Sequence, residues 1–201
     1  MLDRSRTRRD QPDAAALTQT VARAQHAESV GYHRFWVSEH HGVPGVASGR
    51  PALMAQAVAA ATNTIRVGSG GVMLPNHRPL VVAEEFAVLT ALHGERFDLG
   101  VGRSLGFTKP VREALGATQA EPSDFLRDIA SLREYLAGRA DITMRPSLPG
   151  TIPVFVLGTG AFELAGVLIP FMSLVALVWT WVADRGGALR RAWQLLDARP
   201  Y

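Results

Sequence analysis

Ile65-Arg66-Val67-Gly68-Ser69-Gly70-Gly71-Val72-Met73-Leu74-Pro75 begins with the apolar, β-branched character of a buried strand and runs out through glycines to a proline. Strands buried on both faces belong to parallel sheets. The same form recurs on either side. Upstream, Arg34-Phe35-Trp36-Val37 reads as a short strand and continues into Ser38-Glu39-His40-His41. Downstream, Arg96-Phe97-Asp98-Leu99-Gly100-Val101 leads into Gly102-Arg103-Ser104. These strands start at positions 34, 65 and 96, a constant interval of 31 residues. A βαβ unit needs roughly 30 residues, so the interval leaves room for one crossover helix each time.

The segments between the strands carry helical periodicity. The first helix is expected from Asp13, as its cap, to Val30, with Leu17, Val21, Ala24 and Ala27 as its stripe and Gly31 at its end. Pro51 opens an alanine-rich helix to about Thr62, with proline at a tolerated first position. Pro79 opens a third, with Val82, Phe86 and Leu89 on one face and Gly94 closing it. Residues 104–121 read as a loop. A fourth helix follows from Ser123 to Ala137, with Phe125, Ile129, Leu132 and Leu136 aligned. Pro153 to Leu157 reads as a further buried strand. Such alternation gives a parallel α/β fold, either a barrel or a doubly wound sheet.

The chain has 201 residues, enough for one sizeable core but short of the roughly 250 typical of a whole (β/α)8 barrel. It contains no cysteine, which excludes disulfides, zinc–thiolate sites and thiol catalysis and fits a reducing cytoplasm. Net charge is +3, and Lys109 is the only lysine among 21 basic residues, a bias of the kind GC-rich coding produces. The run Arg4, Arg6, Arg8 and Arg9 reads as a solvated loop rather than a nucleic-acid patch. The charged amino terminus has no apolar signal core.

Phe35 to His41, Ile65 to His77 and Arg96 to Arg103, in this order and spacing, resemble the successive strand ends of the bacterial luciferase-like flavin monooxygenases. The resemblance covers about residues 1–160. It implies a (β/α)8 barrel, here incomplete, that uses reduced FMN and O2 to oxidise a small organic substrate. In some branches a deazaflavin, F420, replaces FMN. It also implies a separate NAD(P)H:flavin reductase and a possible homodimer. His40 matches the active-site histidine near the reactive edge of the flavin, where an imidazole can move a proton. Taken alone, it would be an ordinary loop histidine bonded to backbone. Glu39 and His41 are expected to support it. Adjacent histidines on extended backbone point to opposite sides, so no metal shared between them is expected. Gly70-Gly71 matches a non-proline cis peptide beneath the ring; the alternative is a plain strand-to-loop transition. Arg103 matches the arginine that holds the flavin phosphate, against the alternative of a surface arginine. Thr159, in Gly158-Thr159-Gly160, matches a further phosphate contact.

After about residue 160 the resemblance fades. Leu164 to Val182 is nineteen uncharged residues, followed by a basic stretch with Arg185, Arg190 and Arg191. Residues 161–201 are therefore expected to be a divergent helical tail, separate from a partial barrel over 1–160. Two origins are open: an accidental apolar run from a shifted reading frame, which is favoured, or a membrane segment over 164–182. The partial barrel leaves a second functional reading open, a non-catalytic flavin-binding paralogue.

Overall fold

The computed structural model describes residues 1–119, 122–158, 162–164 and 167–169, in two compact units, Met1–Leu157 and Gly158–Tyr201. The first unit begins with β1 (Leu2–Asp3), α1 (Asp13–Ser29), β2 (Arg34–Val37) and α2 (Pro51–Ala60). It continues through β3 (Arg66–Met73), a 3-10 turn (Leu74–Asn76), α3 (Pro79–His93) and β4 (Phe97–Gly102). It ends with α4 (Lys109–Ala114), α5 (Pro122–Leu136) and β5 (Val154–Leu157).

The five strands form one sheet in the order β1-β2-β3-β4-β5, and every pair is parallel. This order decides what periodicity left open. A doubly wound sheet reverses direction at a switch point. Here each new strand adds on the same side, as in a (β/α)8 barrel, and right-handed crossovers then put the helices on one face.

That face is the core. Phe35, Val37, Val67, Phe97, Leu99 and Val101 are fully or almost fully buried and belong to one cluster with Val58, Val82, Phe86 and Leu132. Each such side chain contributes about 1.5–3 kcal/mol on burial. The alternate residues, Arg34, Trp36, Arg66 and Asp98, lie on the opposite face and meet each other there. Between them the strands approach very closely. A Cβ on Gly68 would lie 2.2 Å from the Asp98 carbonyl oxygen, and one on Gly100 would lie 2.2 Å from that of Ser69. Only glycine fits at both positions.

The structure moves several boundaries. β3 continues through Met73, past the glycines where the sequence suggests a loop, because Val72 and Met73 still pair with Val101 and Gly102 after a register shift between Ser69 and Val72. Pro12, not Asp13, is the residue before α1, and no side chain caps that helix. Asp13 sits in the first turn, where its charge favours the helix dipole. The loop expected over 104–121 contains the short helix α4, opened by Lys109-Pro110.

The described start of the second unit does not follow the helical tail expected over 161–201. Its described residues form β6 (Phe162–Leu164) and β7 (Val167–Ile169), paired antiparallel with Phe162 opposite Ile169 and Leu164 opposite Val167. Phe, Val and Ile favour strands, and Gly166 between them disfavours a helix. Among the described residues no helix is long and apolar enough to cross a membrane. The remainder of 164–182 lies outside the described residues.

Candidate active site

Parallel strands present all their carboxyl ends on one side, and the register fixes which residues meet there. Val37 pairs with Ser69, and Met73 pairs with Gly102. The segments 38–41, 70–77 and 102–103 therefore emerge together from three neighbouring strands. His40, Gly70, Gly71 and Arg103 are brought to one end of the sheet. Thr159 lies outside the described residues.

The loop after β2 is pinned by its backbone: Ser38 N–H donates to the Asp3 carbonyl (3.1 Å) and His40 N–H donates to that of Ser48 (3.1 Å). Its side chains alternate. On one side Ser38 Oγ and His40 Nδ1 are 3.0 Å apart and share one proton. This leaves Nε2 as the atom able to exchange a proton. On the other side His41 Nε2 meets Glu39 Oε1 at 2.7 Å. Period-two alternation thus separates the two histidines and gives each its own partner.

His40 stacks on Phe107, with centroids 5.9 Å apart and planes 8° from parallel. Burial first, then the Arg4 guanidinium and His41, hold its imidazole below the ordinary histidine value against the opposing pull of Glu39. The shift favours the neutral imidazole, the form able to accept a proton.

Glu39 is the hub of the other side. Its side chain is completely buried. Met73 N–H donates to Oε2 (2.9 Å), and His77 Nε2 lies 2.9 Å from Oε1 and 3.0 Å from Oε2. Burial alone would push this carboxyl up. The hydrogen bond and charge of His77, the Met73 amide and the His41 hydrogen bond outweigh it and hold the carboxyl below its ordinary value. Glu39 therefore ties the loop after β2 to the end of β3 and to the turn that follows.

The Gly70–Gly71 peptide is cis. A Cβ on Gly70 would meet Leu2 Cδ1 at 2.7 Å, and one on Gly71 would meet the Gly100 carbonyl oxygen at 2.9 Å and Leu157 Cδ1 at 3.0 Å. Packing of the chain on itself thus already demands glycine at both places. Both residues remain partly exposed, so bare backbone is presented at the strand end. Arg103, just past β4, is exposed.

His77 is the residue that the sequence reading passed over as a component of the site. It sits beyond the 3-10 turn, and only that turn carries it back to Glu39. A signal was available: the parallel register sets the residues after Val37 beside those after Ser69, so a histidine in the 70–77 segment is in reach of a carboxylate at 39. Phe107 had no such signal, because the loop after β4 follows no period.

A sequentially ordered parallel α/β sheet is the arrangement of the α/β-barrel class, whose members carry their sites at the strand ends. The chain belongs to the luciferase-like monooxygenase family, whose model matches residues 1–168. It is 40% identical over 163 residues to a luciferase-like monooxygenase of Escherichia coli K12, covering 78% of this chain and 49% of that protein. It is 37% identical over 171 residues to the N-acetyl-S-alkylcysteine monooxygenase of Bacillus subtilis 168, covering 79% and 50%. Among solved structures, apo-MsnO8 superposes with a TM-score of 0.76 at 36% identity over 80% of this chain and 49% of that one. The chain spans about half the length of these relatives.

Proposed function

We propose that this chain carries the amino-terminal half of the active site of a flavin-dependent monooxygenase, in which reduced FMN and O2 oxidise a small organic substrate. The observation that carries this reading is that the Ser38–His40 pair and the Gly70–Gly71 backbone emerge at the same end of the sheet. The residues fit a flavin on two counts. A partly exposed stretch of side-chain-free backbone suits a flat ring. A guanidinium at the end of β4 suits a phosphate, which it can grip through two parallel hydrogen bonds.

Reduced FMN, when bound, would supply the electrons that activate O2. In this reading it is delivered by a separate NAD(P)H:flavin reductase, and FMN is preferred to F420. The chain's own part is then limited and specific. Arg103 holds the phosphate, and Gly70 and Gly71 let the backbone approach the ring. His40, favoured in its neutral form and oriented through Nδ1 by Ser38, takes or returns a proton at Nε2. Phe107 covers one face of that imidazole and keeps water from it.

The test is a titration of the purified full chain with FMN, followed by quenching of flavin fluorescence. Saturable binding is expected. Arg103→Ala should weaken it about 10- to 100-fold, the worth of a charge-assisted hydrogen bond, while His40→Ala should leave affinity nearly unchanged. Absence of saturable binding, or insensitivity to Arg103→Ala, would overturn the proposal for this chain.

A further inference from the structure

The alternation that separates His40 from His41 also puts Glu39 and His41 on one side, and the turn after β3 adds His77. Glu39 Oε1 lies 2.7 Å from His41 Nε2 and 2.9 Å from His77 Nε2, and one ligand atom from each of the three residues falls within 4.8 Å of the others. From this geometry we propose that Glu39, His41 and His77 form a binding site for a divalent cation of the zinc class, distinct from the Ser38–His40 pair and independent of any flavin.

Three features support it. The first is donor chemistry. Two imidazole nitrogens and one carboxylate oxygen are the ligand set of zinc sites that keep a fourth position open. The second is spacing. With bonds of about 2.05 Å, two ligand atoms lie about 2.9 Å apart at a right angle and about 3.4 Å apart at the tetrahedral angle. The two separations from Glu39 Oε1 match the first to within about 0.2 Å and need to open by about 0.5–0.7 Å for the second. The third is preorganisation. Glu39 is wholly buried and fixed through Oε2 by the Met73 amide, which leaves Oε1 aimed at both imidazoles. His41 and His77 are only 16% and 10% exposed, so neither must be gathered from solvent.

A cation there would join the loop after β2 to the turn after β3 through bonds on either side of His40 in the chain. The experiment uses the full chain, stripped with chelator, titrated with Co(II) and followed by visible absorption, then with Zn(II) and followed by thermal unfolding. One equivalent of Co(II) should give ligand-field bands, Zn(II) should displace it, and excess Zn(II) should raise Tm by linkage to the native state. His77→Ala and His41→Ala should each weaken binding by more than about a hundredfold, beyond what loss of an outer partner costs. His40→Ala and the exposed-helix variant His26→Ala should bind as wild type. The far-UV circular dichroism of each variant separates lost ligation from lost fold, and His41→Ala is the milder of the two because His41 lies at the rim of the cluster. No Co(II) band at one equivalent, or bands that survive in folded His41→Ala, would overturn the proposal. The flavin reading is tested by FMN binding and its loss in Arg103→Ala, and the cation site by Co(II) binding and its loss in His41→Ala and His77→Ala, so failure of either leaves the other standing.

Discussion

Two buried carboxylates, Asp98 in β4 and Glu39 beyond β2, are each gripped from three sides, but by different chemistry. Asp98 is fully buried and accepts from Arg34 Nε (2.9 Å), Trp36 Nε1 (3.1 Å), and Arg66 Nε (2.9 Å) and Nη2 (2.7 Å). Its cationic partners are permanent charges. Glu39 accepts from one backbone amide and two imidazoles. The guanidinium cluster locks β2, β3 and β4 together within the sheet. The imidazole cluster ties the loop after β2 to the end of β3 and the turn that follows.

The contrast can be broken most severely at Asp98. Asp98→Ala strands two guanidinium groups on the sheet and should cost about 3–5 kcal/mol, the usual effect of removing one partner from a buried ion pair. Urea unfolding would report this as a lower midpoint at unchanged slope. Gly100→Ala, on the face between the two clusters, forces a Cβ to within 2.2 Å of the Ser69 carbonyl oxygen. Neighbouring backbone cannot give way as a side chain can, so a loss of about 3 kcal/mol, the upper end for overpacking, is expected in the same assay. A destabilisation under about 0.5 kcal/mol would mean that the strands are not as close as described.

Glu39→Gln should be gentler, about 1–3 kcal/mol, because the amide oxygen can still accept from Met73 and only the charge is lost. If Glu39→Gln proved as damaging as Asp98→Ala, the two clusters would be equally structural and the distinction would fall.

The smallest effect belongs to a third carboxylate, Glu28 at the end of α1. It accepts backbone N–H bonds from Asn63, Thr64 and Ile65 and a hydroxyl bond from Thr64. Burial is the largest single influence and raises its carboxyl, but these bonds together prevail and lower it from 4.5 to about 2. The folded value is depressed, so the stabilisation is complete above pH 4.5 and fades as pH falls from 4.5 toward 2. Solvent screening keeps it below about 1 kcal/mol. Glu28→Gln should flatten that part of the stability–pH curve and leave the neutral region almost unchanged.

Much of the fold was legible because burial imposes periods. Val82, Phe86 and Leu89 recur at helical spacing and are all buried on α3, and Phe35 and Val37 alternate with Arg34 and Trp36 as a strand with two unlike faces requires. What failed lacked a period or had a misleading one. Gly70 and Gly71 read as a strand end, yet pairing resumes at Val72 because β4 offers a continuous ladder. The apolar run from Leu164 satisfied the length test for a helix, yet its described start is a strand pair, since hydrophobicity alone does not choose between the two.

By itself the sequence determined the parallel α/β plan, the 31-residue interval of the strands and the residues gathered at their carboxyl ends, because these follow from the spacing of apolar groups along one chain. Tertiary structure alone decided that the strands add in sequential order, that Glu39 turns toward His77 rather than His40, and that Phe107 lies against His40. Those outcomes depend on which distant segments come within three to six ångströms of each other, and local periodicity carries no record of that.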